Sequence, residues 1–166
     1  MQIRFYQQDD FNSLLDLLVD MSIHYNGTNA SAREVIAQHL KDRILGPDSD
    51  VRLVVAEASG VVMGMAAISL LYPAPKERGQ LFMKELYVHG AHRGMNVGEH
   101  LMRWIARLAV EKNCMRFDWT VDADNTGALS FYQRLQAEHV SSKLYFRLSG
   151  ASLDDLAQDP VATPVP

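Results

Sequence analysis

Residues 85–101 read Glu85-Leu86-Tyr87-Val88-His89-Gly90-Ala91-His92-Arg93-Gly94-Met95-Asn96-Val97-Gly98-Glu99-His100-Leu101. A β-prone run ends at Val88, a loop with one arginine and three glycines follows, and an amphipathic helix opens near Asn96 to Gly98. A helix start presents unpaired N–H groups and the positive end of the helix dipole, so it binds phosphate without many side chains. Gly94 and Gly98 let a ligand approach the backbone, and Arg93 adds charge beside it. No GxGxxG fingerprint is present, and no Gly-Lys-Ser/Thr follows to make a P-loop.

Outward from this loop the pattern is regular. The helix over 96–113 puts Val97, Leu101, Trp104, Ile105, Leu108 and Ala109 on one face. Upstream, Gln80–Val88 reads as a strand, and Tyr72–Gly79, with two prolines, reads as a loop. Val51–Ala58 and Val61–Leu71 are apolar, β-branched runs joined by Ser59-Gly60, a hairpin signal. Ile3–Tyr6 predicts a first strand, and Asp9-Asp10 caps a helix carrying Phe11, Leu14, Leu15, Leu18 and Met21. Ser31 with Glu34 reads as a capping box opening a second helix that stops near Gly46-Pro47. Downstream come a strand over Met115–Val121, a helix over Thr126–Leu135, a final strand over His139–Leu148 and a short helical turn over Ser152–Ala157. The proline-bearing stretch 158–166 reads as a loose tail. The order β-α-α-β-β-β-α-β-α-β predicts an α/β (α+β) fold, with helices flanking a mixed, mostly antiparallel sheet. One domain over residues 1–157 accounts for it.

Composition narrows the class. The 166 residues are 48% hydrophobic and 22% charged, with a net charge of −4 that does not suit a general nucleic-acid binder. The one cysteine, Cys114, excludes an internal disulfide and suits a reducing, cytoplasmic setting. The start Met1-Gln2-Ile3-Arg4-Phe5 is not a secretory or transit pattern, and no apolar run nears the ~20 residues that span a bilayer. His89 and His92 have metal-like spacing but lack a third ligand, so no metal site is expected. Nothing pairs with Cys114 to make it a nucleophile, and no GxSxG elbow exists.

A second segment, Asn125-Thr126-Gly127-Ala128-Leu129-Ser130-Phe131-Tyr132, gives the loop its meaning. Together with Arg93-Gly94-Met95-Asn96-Val97-Gly98 after Leu86-Tyr87-Val88, it resembles the GNAT superfamily of N-acetyltransferases. The superfamily pattern is [Q/R]-x-x-G-x-[G/A] after a strand, then Asn and Phe-Tyr near the end of the domain. Tyr145-Phe146-Arg147-Leu148 before Ser152–Ala157 is similar to the diamine acetyltransferase branch. The resemblance covers roughly residues 3–148. Two departures stand out: Asn96 replaces the mid-loop glycine, and Gln136-Ala137 replaces Gly-Ala after the Phe-Tyr helix. Asn tolerates positive φ better than other non-glycine residues, whereas Gln at a left-handed cap costs about 1 kcal/mol.

The resemblance implies acetyl-CoA as cosubstrate, with Leu86, Tyr87, Val88, Arg93, Gly94, Met95, Asn96, Val97, Gly98, Glu99, Asn125 and Phe131 around it. It also implies a possible homodimer, and acetyl transfer to a primary amine by direct attack. Tyr132 occupies the general-acid position; phenols ionise near ~10, so it holds a proton for the departing thiolate. Glu85 is the candidate base or base-linked carboxylate, with a surface ion pair as its equal rival. Backbone N–H groups of Leu86 to Val88 would polarise the thioester carbonyl. Asn125 serves as readily as a helix N-cap as a ligand contact. The region His24-Tyr25-Asn26 and the loop Tyr72–Gly79 would line the acceptor pocket, with Lys84 beside Glu85. Asn26 and Lys84 stand where the diamine branch has acidic residues, which argues against a polyamine and for an amino acid or similar small amine. The alternatives are a non-catalytic acyl-CoA-binding module and a protein N-acetyltransferase.

Overall fold

The computed structural model describes residues 1–158, and the expected tail beyond Gln158 lies outside them. The chain divides into two compact units, Met1–Asn125 and a second from Thr126 onward.

The first unit is built on five strands in the order β1-β2-β3-β4-β5: β1 Gln2–Phe5, β2 Arg52–Ala58, β3 Val61–Ala74, β4 Arg78–Val88 and β5 Cys114–Trp119. The first four are antiparallel, and β5 joins β4 in parallel, as an edge strand after a helical crossover must. Ser59 and Gly60 both take positive φ, 53° and 81°, the turn that matches strand twist and closes a two-residue hairpin.

Alternation along β2 sorts the core into two layers. Leu53 and Val55 face a cluster with Leu14, Leu17 and Leu18 of α1 (Phe11–Asn26), Leu40, Met65 and Tyr87. Val54 and Ala56, also fully buried, face the other side, where α3 (Val97–Glu111) packs. Trp104 of α3 meets Phe5 of β1 edge-on at 4.9 Å between ring centres. The helix α2 (Arg33–His39) runs into a π-helical turn at Leu40–Ile44.

Asp10 ties the first strand to the first helix. It is 6% exposed, accepts Arg4 Nη1 at 2.6 Å and Nη2 at 2.8 Å, and also accepts the Gln7 amide at 2.7 Å. The Arg4 guanidinium holds the Asp10 carboxyl below the usual carboxylate range.

Three expectations are corrected. The Ser31–Glu34 capping box does not form: α2 starts after Ala32, because the Ser31 amide is tied to Ser22 Oγ at 3.2 Å. The Tyr72–Gly79 loop is mostly strand; β3 and β4 stay paired to Ala74 and Arg78, closed by a turn in which Lys76 and Glu77 take positive φ. The final strand over His139–Leu148 does not form among the described residues: a turn at 141–142 and irregular backbone take its place, since alternation alone does not make a ladder.

The second unit holds α4 (Thr126–Arg134) and α5 (Ala151–Ala157). The end of α4 is a Schellman turn: the Ala137 amide reaches Tyr132 O at 3.2 Å and the Gln136 amide reaches Gln133 O at 2.9 Å. Gln136 sits at φ 59°, where glycine is unstrained. Gln136→Gly is therefore expected to stabilise α4 by roughly 0.5–1 kcal/mol, less what the freer unfolded chain takes back. Differential scanning calorimetry would register a rise of about 1–3 °C; a fall would refute the strain.

Candidate active site

The site begins where β4 parts from β5. Parallel pairing covers only Gly79–Met83 of β4, so Lys84–Val88 has β3 on one side and, among the described residues, no strand on the other. Just there β4 carries an extra residue. Ala67 pairs with Glu85 but Ile68 pairs with Met83, which makes Lys84 a bulge that turns the strand out of the sheet.

The ladder fixes the direction of the remaining backbone groups. The His89 amide donates to Met63 O at 3.0 Å, so by alternation the N–H groups of Leu86 and Val88 point away from β3 into the gap. The Val88 carbonyl points the same way and accepts Arg93 Nε at 3.2 Å. Arg93 also lies over the Tyr87 ring, 5.7 Å from its centre.

The loop then turns through two left-handed residues. Gly94 takes φ 78° with nothing within 4 Å of where a Cβ would stand, so open space adjoins it. Asn96 takes φ 59°, ψ 15°, the positive φ that Asn tolerates, and α3 starts at the next residue. Both the His100 amide, at 3.0 Å, and its Nδ1, at 2.7 Å, approach Asn96 O. Glu99 is paired to Arg103 at 2.7 Å and so turned along the helix. Gly64, opposite Val88, explains why α3 can begin so close to β4: a Cβ there would stand 3.1 Å from Val97 Cγ1 and 3.0 Å from Tyr87 O. The free N–H groups of this helix start, the open side of Gly94 and the nearby guanidinium suit a pyrophosphate.

On the opposite face, β4 presents side chains to α1. Glu85 Oε1 accepts the Tyr25 hydroxyl at 3.1 Å. Tyr87 donates its hydroxyl to Asp20 Oδ2 at 2.8 Å; burial and that carboxylate push the Tyr87 phenol up to about 12, so it stays protonated. The rings of His24, Tyr25 and Tyr87 lie 5.3–6.1 Å apart. His89 accepts the Ala91 amide at Nδ1, which leaves Nε2 to face Asp20 Oδ1 at 3.7 Å.

Tyr25 and Glu85 thus come together through that hydrogen bond. Asn26 turns back to bond Ser22 O on its own helix, and Lys84 is exposed at the bulge. His24 belongs to the expected acceptor region; Asp20 carries no mark in the sequence beyond its four-residue spacing from His24 on α1. In the second unit, Phe131 and Tyr132 stack at 5.2 Å, and the Arg134 guanidinium lies 5.9 Å over Phe131. The Asn125 amide, at the end of the first unit, bonds Asp122 O at 3.0 Å.

Two further groups are settled by their surroundings. Burial raises the Cys114 thiol above its usual range, which suits an unreactive core group. Among the described residues no cluster of three or more His, Cys, Asp or Glu could hold a metal ion, and no helix is long and apolar enough to cross a membrane.

Comparison with known proteins assigns this arrangement to a family. The profile of the Acetyltransferase (GNAT) family matches residues 13–136, and the chain belongs to that family. It is an N-acetyltransferase by that membership. It is 27% identical over 146 residues to acetyltransferase SG1711 of Sodalis glossinidius, covering 87% of this chain and 92% of that protein. It is 26% identical over 100 residues to mouse thialysine N-epsilon-acetyltransferase, covering 58% of each. Among solved structures, an integron cassette protein, VCH_CASS6, from the mobile metagenome of V. cholerae superposes with a TM-score of 0.91. That alignment has 30% identity over 95% of this chain and 98% of the other.

Proposed function

We propose that this chain transfers the acetyl group of acetyl-CoA to the primary amine of a small molecule, by direct attack and without an acetylated enzyme. The carrying observation is the two-sided strand: outward backbone N–H groups and a helix start on one side of β4, and the Tyr25–Glu85 pair on the other.

Acetyl-CoA supplies the activated acyl group as a thioester. The first-turn N–H groups of α3 and Arg93 hold its phosphates, and the turn through Gly94, Met95 and Asn96 lets them approach. The N–H groups of Leu86 and Val88 take the charge that develops on the carbonyl oxygen. An alkyl amine near pKa ~10.4 costs about 4–5 kcal/mol to deprotonate at neutral pH. Glu85, held by the Tyr25 hydroxyl, takes that proton directly or through water. Tyr132 returns a proton to the departing sulfur. Asn125 and Phe131 shape the cofactor side.

Lys84 and Asn26, standing where acidic residues would attract a polyamine, favour an amino-acid acceptor. Thialysine, for which the mouse relative is named, is an amino acid with a side-chain amine. Calorimetry with acetyl-CoA, then thiol release over a panel of amino acids, polyamines and peptides, tests the proposal. Turnover on a free amine supports it. Binding without turnover on any amine favours a non-catalytic acyl-CoA module, and turnover confined to peptides a protein acetyltransferase. Arg93→Ala is expected to weaken acetyl-CoA binding about tenfold, from one lost charge-assisted contact. An unchanged dissociation constant would remove Arg93 from the phosphate site.

A further inference from the structure

The sheet face that carries Glu85 continues onto β5 with a second set of charges. Ala67, Ser69 and Leu71 alternate on one side of β3, and their partners across the ladder are Glu85, Phe82 and Gln80. The extra residue at Lys84 is what brings Glu85 onto the side of Phe82 and Gln80 rather than the opposite one. On β5, Phe82 and Gln80 face Asp118 and Arg116. Three of these side chains close a ring. Arg116 Nη2 donates to Gln80 Oε1 at 2.6 Å, Gln80 Nε2 donates to Asp118 Oδ2 at 2.9 Å, and Arg116 Nε meets the same Asp118 oxygen at 3.0 Å.

Stability does not account for that ring. The side chains of its ion pair are 47% and 39% exposed, where such a pair contributes little to folding. The two contacts made by Arg116 engage two of the five N–H groups of a guanidinium. The ring also stands at a definite place relative to Glu85. Asp118 pairs with Phe82, on the strand next to Glu85 and a few residues back, on the order of 10 Å away at ordinary strand spacings. The half-buried Phe82 lies between them on this face. Paired opposite charges at one end, an aromatic floor, and a carboxylate at the other end match a zwitterionic head, an apolar chain and a terminal amine.

We propose that Arg116 and Asp118 form the head-group subsite of the acceptor. Arg116 takes the α-carboxylate and Asp118 the α-ammonium of a free amino acid of lysine's length, whose side-chain amine reaches Glu85. The assignment rests on acetyl transfer to an amine at Glu85, and it names the class of amine. A zwitterion meets the pair with its charges in the opposite order, so it gains two charge-assisted contacts where opening an exposed ion pair costs little. A diamine of the same length brings a second cation to the guanidinium, and a lysine within a peptide has neither charge of the head, so both are disfavoured.

The test compares kcat/KM, with acetyl-CoA, for L-lysine, 1,5-diaminopentane and Nα-acetyl-L-lysine. The wild type should prefer L-lysine to each of the others by on the order of 10- to 100-fold, with the acetyl group on the side-chain nitrogen. Arg116→Met should erase the preference over the diamine, and Asp118→Asn should shrink the preference over Nα-acetyl-L-lysine. A general structural weakening would lower all three together and leave the ratios standing, so ratios that survive both substitutions overturn the subsite. Equal use of L-lysine and the diamine by the wild type overturns it too, while acetyl transfer stands; this comparison decides alone if the variants do not fold. Turnover on no amine removes the acetyl-transfer reading instead. Calorimetric titration of L-lysine then decides the subsite: binding that Arg116→Met weakens tenfold or more supports it, and no binding overturns it.

Discussion

Replacing Tyr132 with phenylalanine is expected to lower kcat by 10²- to 10⁴-fold while leaving the dissociation constant of acetyl-CoA within a factor of about three. A positioned general acid is worth that range, and the substitution removes one hydroxyl without changing the ring that stacks on Phe131. If Tyr132 protonates the departing sulfur, acceptors presented with a better leaving thiol should recover part of the loss. Single-turnover kinetics with acetyl-CoA and a chemically activated thioester analogue separate the cases. A fall in affinity at constant kcat would instead make Tyr132 a binding residue, and no change in either would remove it from the reaction.

The second large effect concerns stability. Asp10→Ala is expected to cost about 1.5–3 kcal/mol, because it removes the two-pronged partner of the Arg4 guanidinium, leaving it Glu57 at 3.5 Å and the Phe5 carbonyl, and frees the Gln7 amide. Urea denaturation at pH 7 measures this directly. The effect has a definite pH sign. The folded Asp10 carboxyl titrates below its unfolded value of ~3.9, so its stabilisation is complete above about pH 5 and disappears as pH falls through the folded value. Wild type and variant should therefore converge in stability at strongly acid pH. A constant gap down to pH 2 would mean that packing, not the ion pair, carries the cost. Replacing both partners with apolar residues of similar size should cost far less than the single change.

Much of this architecture is legible in the residues, for identifiable reasons. Ser59-Gly60 declares its turn because few dipeptides accept two positive φ angles. The Asn96 start of α3 is legible because a strand, an arginine, glycines and a helical period meet there in a fixed order. The bulge at Lys84 leaves no such mark. It is set by how β3 and β4 slide against each other, and lysine is compatible with either register. Asp20 is hidden in a helix whose other positions serve the core, and Tyr87, 67 residues downstream, reveals what it is for. The expected strand over His139–Leu148 illustrates the general limit. Alternation is a property of one segment, whereas a strand is a property of two, and residues 138–150 carry the pattern without forming a strand among the described residues.

The buried Cys114 has a practical consequence. With its thiol mostly buried and its ionisation pushed up by burial, Cys114 is expected to react slowly with chromogenic disulfides, so over a short assay such a reagent counts chiefly released coenzyme. The same reagent added to the resting enzyme yields at most one equivalent of colour per chain, at the rate at which the segment around Cys114 opens. A single sample thus yields turnover when substrate is present and the rate of unfolding when it is not.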